Sequence, residues 1–156
     1  MASTTEESTL SFPKDGIRLS YILEDFITEC GGRSALDGLT TTDVCERFIK
    51  PKTKSTHTSY CEMLKLRGNQ HVGIAQVFIS HAWQFKFLDV VSALRDHFSG
   101  SDIIVWFDLF SNNQHKTVDL TFDWWANTFK SAIGDFKHTV MVLSPWNDPI
   151  PLTRGW

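Results

Sequence analysis

Ile17, Tyr21, Ile22, Phe26, Ile27 and Cys30 recur at the spacing of one helix face, and Gly31-Gly32 stands where a helix C-cap belongs. The pattern predicts one amphipathic helix. A second, short helix is predicted from Thr41 or Thr42 as N-cap to about Ile49, with Pro51 discouraging its continuation. Ser59-Tyr60-Cys61-Glu62 has the form of a capping box and predicts the start of a third helix. Between the second and third, Lys50, Lys52 and Lys54 form a basic run that reads as a solvated loop or, alternatively, a phosphate site.

From residue 76 the period changes. Gln76-Val77-Phe78-Ile79-Ser80 reads as an apolar strand, and Phe87, Leu88, Val91, Leu94 and Phe98 then mark one helix face before Gly100. Ile103-Ile104-Val105-Trp106-Phe107 is apolar throughout, as in a parallel strand covered on both faces. Phe122, Trp125, Phe129 and Ile133 give a second helix closed by Gly134, and Thr139-Val140-Met141-Val142-Leu143 gives a third strand. This β-α-β-α-β order predicts an α/β fold with a parallel sheet and right-handed crossovers. Trp125 fits the apolar stripe, which leaves the adjacent Trp124 to cover a neighbouring element or a partner.

Composition divides the chain near residue 70. All six Trp lie at or after Trp83 and nine of the twelve Phe at or after Phe78, whereas no Glu follows Glu62. The predicted organisation is a disordered tail over residues 1–13, a helical extension over 14–70 and an α/β part over 71–156. Three short helices bury little alone, so the extension is expected to pack on the α/β part or on a partner.

At 156 residues and 42% hydrophobic, the chain suits one soluble domain. A net charge of −3 disfavours nucleic acid or an anionic membrane as the main partner. No apolar run approaches the roughly 18 residues of a membrane span. Cys30, Cys45 and Cys61 lack a C-x-x-C pair and neighbouring His ligands, so they read as buried free thiols of a cytoplasmic protein, with no metal site.

A parallel sheet places its chemistry at the carboxyl ends of its strands, where strand order reverses. Here those ends carry Ser80-His81-Ala82-Trp83, Asp108 through His115, and Ser144-Pro145-Trp146-Asn147-Asp148, polar groups interleaved with Trp. Such a mixture suits a ligand with flat rings and polar groups, although apolar loop anchors also use Trp.

Val77-Phe78-Ile79-Ser80-His81, Val105-Trp106-Phe107-Asp108 and Val140-Met141-Val142-Leu143-Ser144-Pro145 resemble the first three strands of a Toll/interleukin-1 receptor (TIR) domain. The runs His81-Ala82-Trp83, Phe110 to His115 and Pro149 to Trp156 are similar to the TIR-like domains of algal and other microbial eukaryote proteins. The resemblance covers about residues 74 to 156 and implies a flavodoxin-like sheet, incomplete at its C-terminus. It further implies signalling by self-association or by contact with other TIR-like domains, and NAD as ligand or substrate rather than bound cofactor.

Many family members cleave the nicotinamide–ribose bond of NAD with a Glu on the helix after the third strand. That helix usually opens with Trp-Cys. Trp156 corresponds to its Trp, and the Glu has no counterpart among these residues, so the resemblance implies an assembly domain without turnover. An NAD nucleosidase in a longer parent protein is the enzymatic alternative. A receiver-like nucleotide-binding domain is weaker, because Ser80-His81-Ala82-Trp83 lacks the acidic residues such a domain wants after its first strand.

The candidate ligand-binding residues are Ser80, His81, Trp83, Asp108, Asn112, Asn113, His115, Ser144 and Trp146; no catalytic or metal-binding residue is assigned. Each has a structural alternative. Ser80 reads alternatively as a helix N-cap beside a half-exposed His81; with a ligand, the amides of this turn would meet its phosphates. Asp108 reads as a hydrogen-bonded turn residue, and residues 112–115 as a solvated loop. The fold is expected to place the strand ending at Ser80 in the middle of three, with Ser80 and Ser144 at one sheet edge. An apolar face and a strand edge stay open unless the N-terminal helices cover them.

Overall fold

A computed structural model describes residues 14–115, 130, 134, 136 and 138–142. The predicted tail over 1–13, the helix over 122–133 apart from Lys130, and Trp124, Trp125, Ser144 and Trp146 lie outside the described residues.

Strand β1 spans Asp15–Arg18, and helix α1 follows as a wide π-type segment, Tyr21–Phe26, running into Ile27–Glu29. Gly31, at φ 108°, turns the chain out of α1 at the predicted cap, a backbone state costly for other residues. Short α2 spans Arg33–Leu36. Helix α3 runs through Thr41–Val44, Cys45–Ile49 and Lys50–Thr53, and α4 spans Tyr60–Leu66. Strands β2 (Val72–Ile74) and β3 (Val77–Ser80), helix α5 (Phe87–His97), strand β4 (Ile104–Trp106), the single turn α6 (Asp108–Ser111) and strand β5 (His138–Met141) complete the described fold.

Four N-terminal expectations change. Ile17 belongs to β1 rather than to the first helix, because it pairs with Val105 on β4. Thr40 caps α3 one residue earlier than expected, its hydroxyl accepting from the Asp43 amide at 3.2 Å while the Asp43 carboxylate accepts from the Thr40 amide at 3.0 Å. The helix continues through Pro51, because the Lys50 amide already reaches back five residues to the Cys45 carbonyl, and this widened turn relieves the clash a proline makes with a tight one. Lys50 and Lys52 therefore stand on a helix rather than a loop, Lys50 2.7 Å from Glu46 and Lys52 4.0 Å from Glu29. At α4 the Ser59 hydroxyl accepts from the Glu62 amide as its sequence predicts.

The chain is of the α/β class, with a five-stranded sheet in the order β2-β1-β4-β3-β5. β3 lies between β4 and β5 and is parallel to both, Val77 opposite Val105 and Phe78 opposite Thr139, the arrangement predicted for the strand ending at Ser80. The sheet is nevertheless mixed. β1 runs antiparallel to both β4 and β2, so the segment expected to be only helical contributes a strand.

Alternation along the strands sets the two faces. Val77, Ile79, Val105 and Phe107 join one core with Ile17, α1, α3, α4 and α5. Phe78 and Trp106 point the other way and stack at 4.9 Å, with Phe136 5.6 Å from Phe78. At the centre of the first core the Phe26 ring meets Phe110 at 4.9 Å, Tyr60 at 5.5 Å and Phe87 at 5.8 Å. The N-terminal helices thus cover one face of the sheet. Cys30, Cys45 and Cys61 are buried free thiols, and burial pushes Cys61 up to about 12. Among the described residues no helix is long and apolar enough to cross a membrane.

Gly16 is where β1 approaches β4 most closely: a Cβ there would stand 2.5 Å from the Val105 carbonyl oxygen and 2.8 Å from the Ala75 Cβ. Gly16→Ala is expected to destabilise the chain by about 1–3 kcal/mol through backbone displacement. At Gly73 a Cβ would meet only the flexible end of Ile104, at 3.0 Å, so Gly73→Ala should stay within about 1 kcal/mol of the native chain. Urea midpoints of the two variants check both expectations.

Candidate functional site

The carboxyl ends of β3 and β4 carry a small polar cluster. Ser80 closes β3, and its carbonyl accepts from the Val142 amide at 2.9 Å, which keeps the strand paired to its last residue. His81 follows, only 8% exposed, with its ring centroid 4.7 Å from that of Phe107. Its Nε2 lies 3.2 Å from the Thr41 Oγ1, while its Nδ1 is sealed from solvent without a partner among the described residues. Trp83 reaches across to the start of α6, just beyond β4, and donates its indole N–H to the Asp108 Oδ2 at 2.6 Å. Asp108 Oδ1 is likewise sealed and without a hydrogen bond among the described residues, with the Asp108 and Leu109 amides close enough to favour the charged carboxylate.

Burial dominates the electrostatics. It holds His81 below the ordinary imidazole range, against an opposing pull from Asp108. It likewise raises Asp108 above the ordinary carboxylate range, against His81 and the Trp83 N–H. Both groups are therefore biased toward their neutral forms, an environment for hydrogen bonding rather than for a bare charge.

Ser80 is no N-cap, because α5 begins only at Phe87, with Lys86 in the capping position. The Phe87 amide is bonded to the Leu39 carbonyl at 2.9 Å, so it is not free for a ligand's phosphate. The intervening residues are stitched to the start of α3. Thr41 N–H donates to the Phe85 carbonyl at 3.0 Å, Thr42 N–H to the Trp83 carbonyl at 3.3 Å, and Thr40 bridges Lys86. His81 is buried rather than half-exposed for the same reason.

Residues 112–115 are not a solvated loop. Asn112 is buried, and the Gln114 side chain donates to the Asp108 carbonyl at 2.9 Å, folding the loop back on α6. Asn113 and His115 turn away from the His81 cluster toward the N-terminal segment. The Asn113 Nδ2 donates to the His57 carbonyl at 3.0 Å, and His115 Nε2 lies 2.8 Å from Thr53 Oγ1. The structure thus gathers Ser80, His81, Trp83 and Asp108 and separates Asn113 and His115 from them. Thr41, absent from the sequence-derived set, completes the cluster; its only local signal is the helix start it lies beside.

Among the described residues, no group of three or more His, Cys, Asp and Glu could hold a metal ion. A hollow of about 440 Å³ lies at the other end of the sheet, lined by Leu19, Leu23, Arg95, Phe98 and Asp102 among others, and takes in none of the clustered residues. No family model matches the chain, and no curated protein or solved structure matches it.

Removing the indole donor strands a carboxylate oxygen, so Trp83→Phe is expected to cost about 1–3 kcal/mol. Because Asp108 titrates higher in the folded than in the unfolded chain, its contribution is lost as pH rises from about 3.9 through the folded value. Asp108→Asn, neutral throughout and still able to accept from Trp83, should match or exceed native stability near pH 8 and lose that advantage below about pH 4. His81 acts in the opposite sense: its folded value is depressed, so stability falls as pH drops below about 6.5. Denaturant melts across pH, compared among the three chains, read out both signs.

Proposed function

We propose that β3, β4 and β5 are the first three strands of a flavodoxin-like, TIR-like domain that works in the cytoplasm by assembly with its own kind, with an NAD-class dinucleotide as a weak ligand. The observation that carries this reading is the order β4-β3-β5 with all three strands parallel. In that order the chain leaves β3 toward one neighbour and later returns on its other side, which opens a crevice at the carboxyl ends between β3 and β5. Ser80 and His81 stand at its rim, and Trp83 and Asp108 stand beside it. An indole and a buried hydrogen-bonding pair suit an aromatic base and its ribose. Buried, unpaired thiols suit a reducing compartment.

The same residues argue against turnover. Cleaving the nicotinamide–ribose bond builds positive charge on the sugar, which an ionised carboxylate fixed nearby would stabilise. Asp108 is poorly fitted to that role: one oxygen is held by Trp83, the other is sealed, and burial favours the neutral acid.

Titrating NAD into the ¹⁵N-labelled chain is expected to move the amide signals of residues 80–83 and 108, with nicotinamide release at background. Trp83→Ala should weaken binding about tenfold, near 1.4 kcal/mol. Light scattering should show mass rising with concentration. Spectra blind to NAD from a monodisperse monomer would overturn the reading, and turnover abolished by Asp108→Ala would overturn the argument against catalysis.

A further inference from the structure

We propose that the loop after β4 is clasped to the N-terminal segment by His115, stacked on His57, and that acidification releases it. The inference rests on contacts of its own and holds whatever the crevice binds.

The clasp has three parts. The His57 and His115 rings stack with centroids 4.9 Å apart and planes 27° from parallel. His115 Nε2 is 2.8 Å from the Thr53 hydroxyl, which is also 2.8 Å from the Ile49 carbonyl. A hydroxyl carries one hydrogen; given to Ile49, it leaves Thr53 as acceptor for the Nε2–H of a neutral His115. Asn113 supplies the third part: its Nδ2 donates to the His57 carbonyl at 3.0 Å, and its Oδ1 accepts from the His115 amide at 3.0 Å.

These contacts join positions 56 and 62 residues apart, so they exist only while loop and segment are together. His57 itself, at φ 56°, is fixed locally as the left-handed end of the turn after α3, its amide bonded to the Thr53 carbonyl at 2.8 Å.

The surroundings decide the response to protons. Lys50 on α3 and His57 face His115 with like charge when protonated, and Lys50 has Glu46 as its own partner at 2.7 Å. From α4, the Cys61 thiol lies against Ser111 and brings no charge. Burial first, then His57 and Lys50, holds His115 below the ordinary imidazole range. The closed form therefore binds the proton less well than the open form. Closure is fully favoured above about pH 6.5 and weakens as pH falls below it.

The test is amide hydrogen exchange of the full chain at about pH 7.5 and 5.5, corrected for intrinsic rates, alongside imidazole NMR of His115. Protection of residues 54–58 and 112–115 should fall severalfold at the lower pH, because the closed form binds the proton less well than the open one, while residues 77–80 keep theirs. His115→Gln retains an N–H donor for Thr53 but does not titrate, and should show no such fall. Asn113→Ala should lower protection at both pH values without moving residues 77–80. Unchanged native protection, a native-like fall in His115→Gln, or full protection in Asn113→Ala would each overturn the proposal. Because none of these readouts uses NAD, failure here is distinct from failure of the dinucleotide reading.

Discussion

The antiparallel docking of β1 on β4 is the contact on which the rest of the described fold depends. A parallel β4-β3-β5 sheet leaves the outer edge of β4 with unpaired amides and carbonyls, a template for another chain. β1 occupies that edge, Ile17 opposite Val105 and Arg18 opposite Ile104, and the Leu19 amide extends the contact to the Ile103 carbonyl at 2.9 Å. The absence of a side chain at Gly16 makes the approach close enough. With β1 fixed, α1 leaves the sheet edge and lays Tyr21, Ile22 and Phe26 over its face, so residues of both halves share one core.

Around Phe26 the two halves interlock. Its ring meets Tyr60 from α4, Phe87 from α5 and Phe110 from α6, with Tyr60 and Phe110 themselves 5.5 Å apart. Tilted and edge-on rings of this kind gain from their quadrupoles as well as from burial. The polar stitches lie outside this aromatic centre: Thr40, Thr41 and Thr42 with residues 83–86 on one side, Thr53 and His57 with Asn113 and His115 on the other. One N-terminal segment therefore determines where both carboxyl-end loops run. The cluster of His81, Trp83 and Asp108 is thus positioned by residues remote from it in sequence.

The His81 and Asp108 pair shows how such a site keeps polarity under burial. Each side chain has one satisfied polar atom, through Thr41 and Trp83 respectively, and one sealed atom without a hydrogen bond among the described residues. Leaving such atoms unmet is costly, and shifting both groups toward neutrality lowers the cost.

The sequence by itself determined the elements whose signal is local. The apolar runs ending at Ser80 and Phe107, the stripe from Phe87 to Phe98, the glycine cap after α1 and the Ser59 cap all lie within a few residues of their cause. The middle position of β3 is that of the first strand of a β-α-β-α-β order. The tertiary structure decided what depends on distant partners. Ile17 fits a helix stripe and a strand alternation equally well, and the open edge of β4 chose the strand. Ser80, read as an alternative N-cap, caps nothing, because residues 83–86 find partners beside Thr40 that no local period encodes and the helix starts at Phe87. Among the candidate site residues, Ser80, His81, Trp83 and Asp108 converge because strand ends impose it. Asn113 and His115 diverge because their acceptors, the His57 carbonyl and the Thr53 hydroxyl, lie on a segment that reaches them only through the shared core.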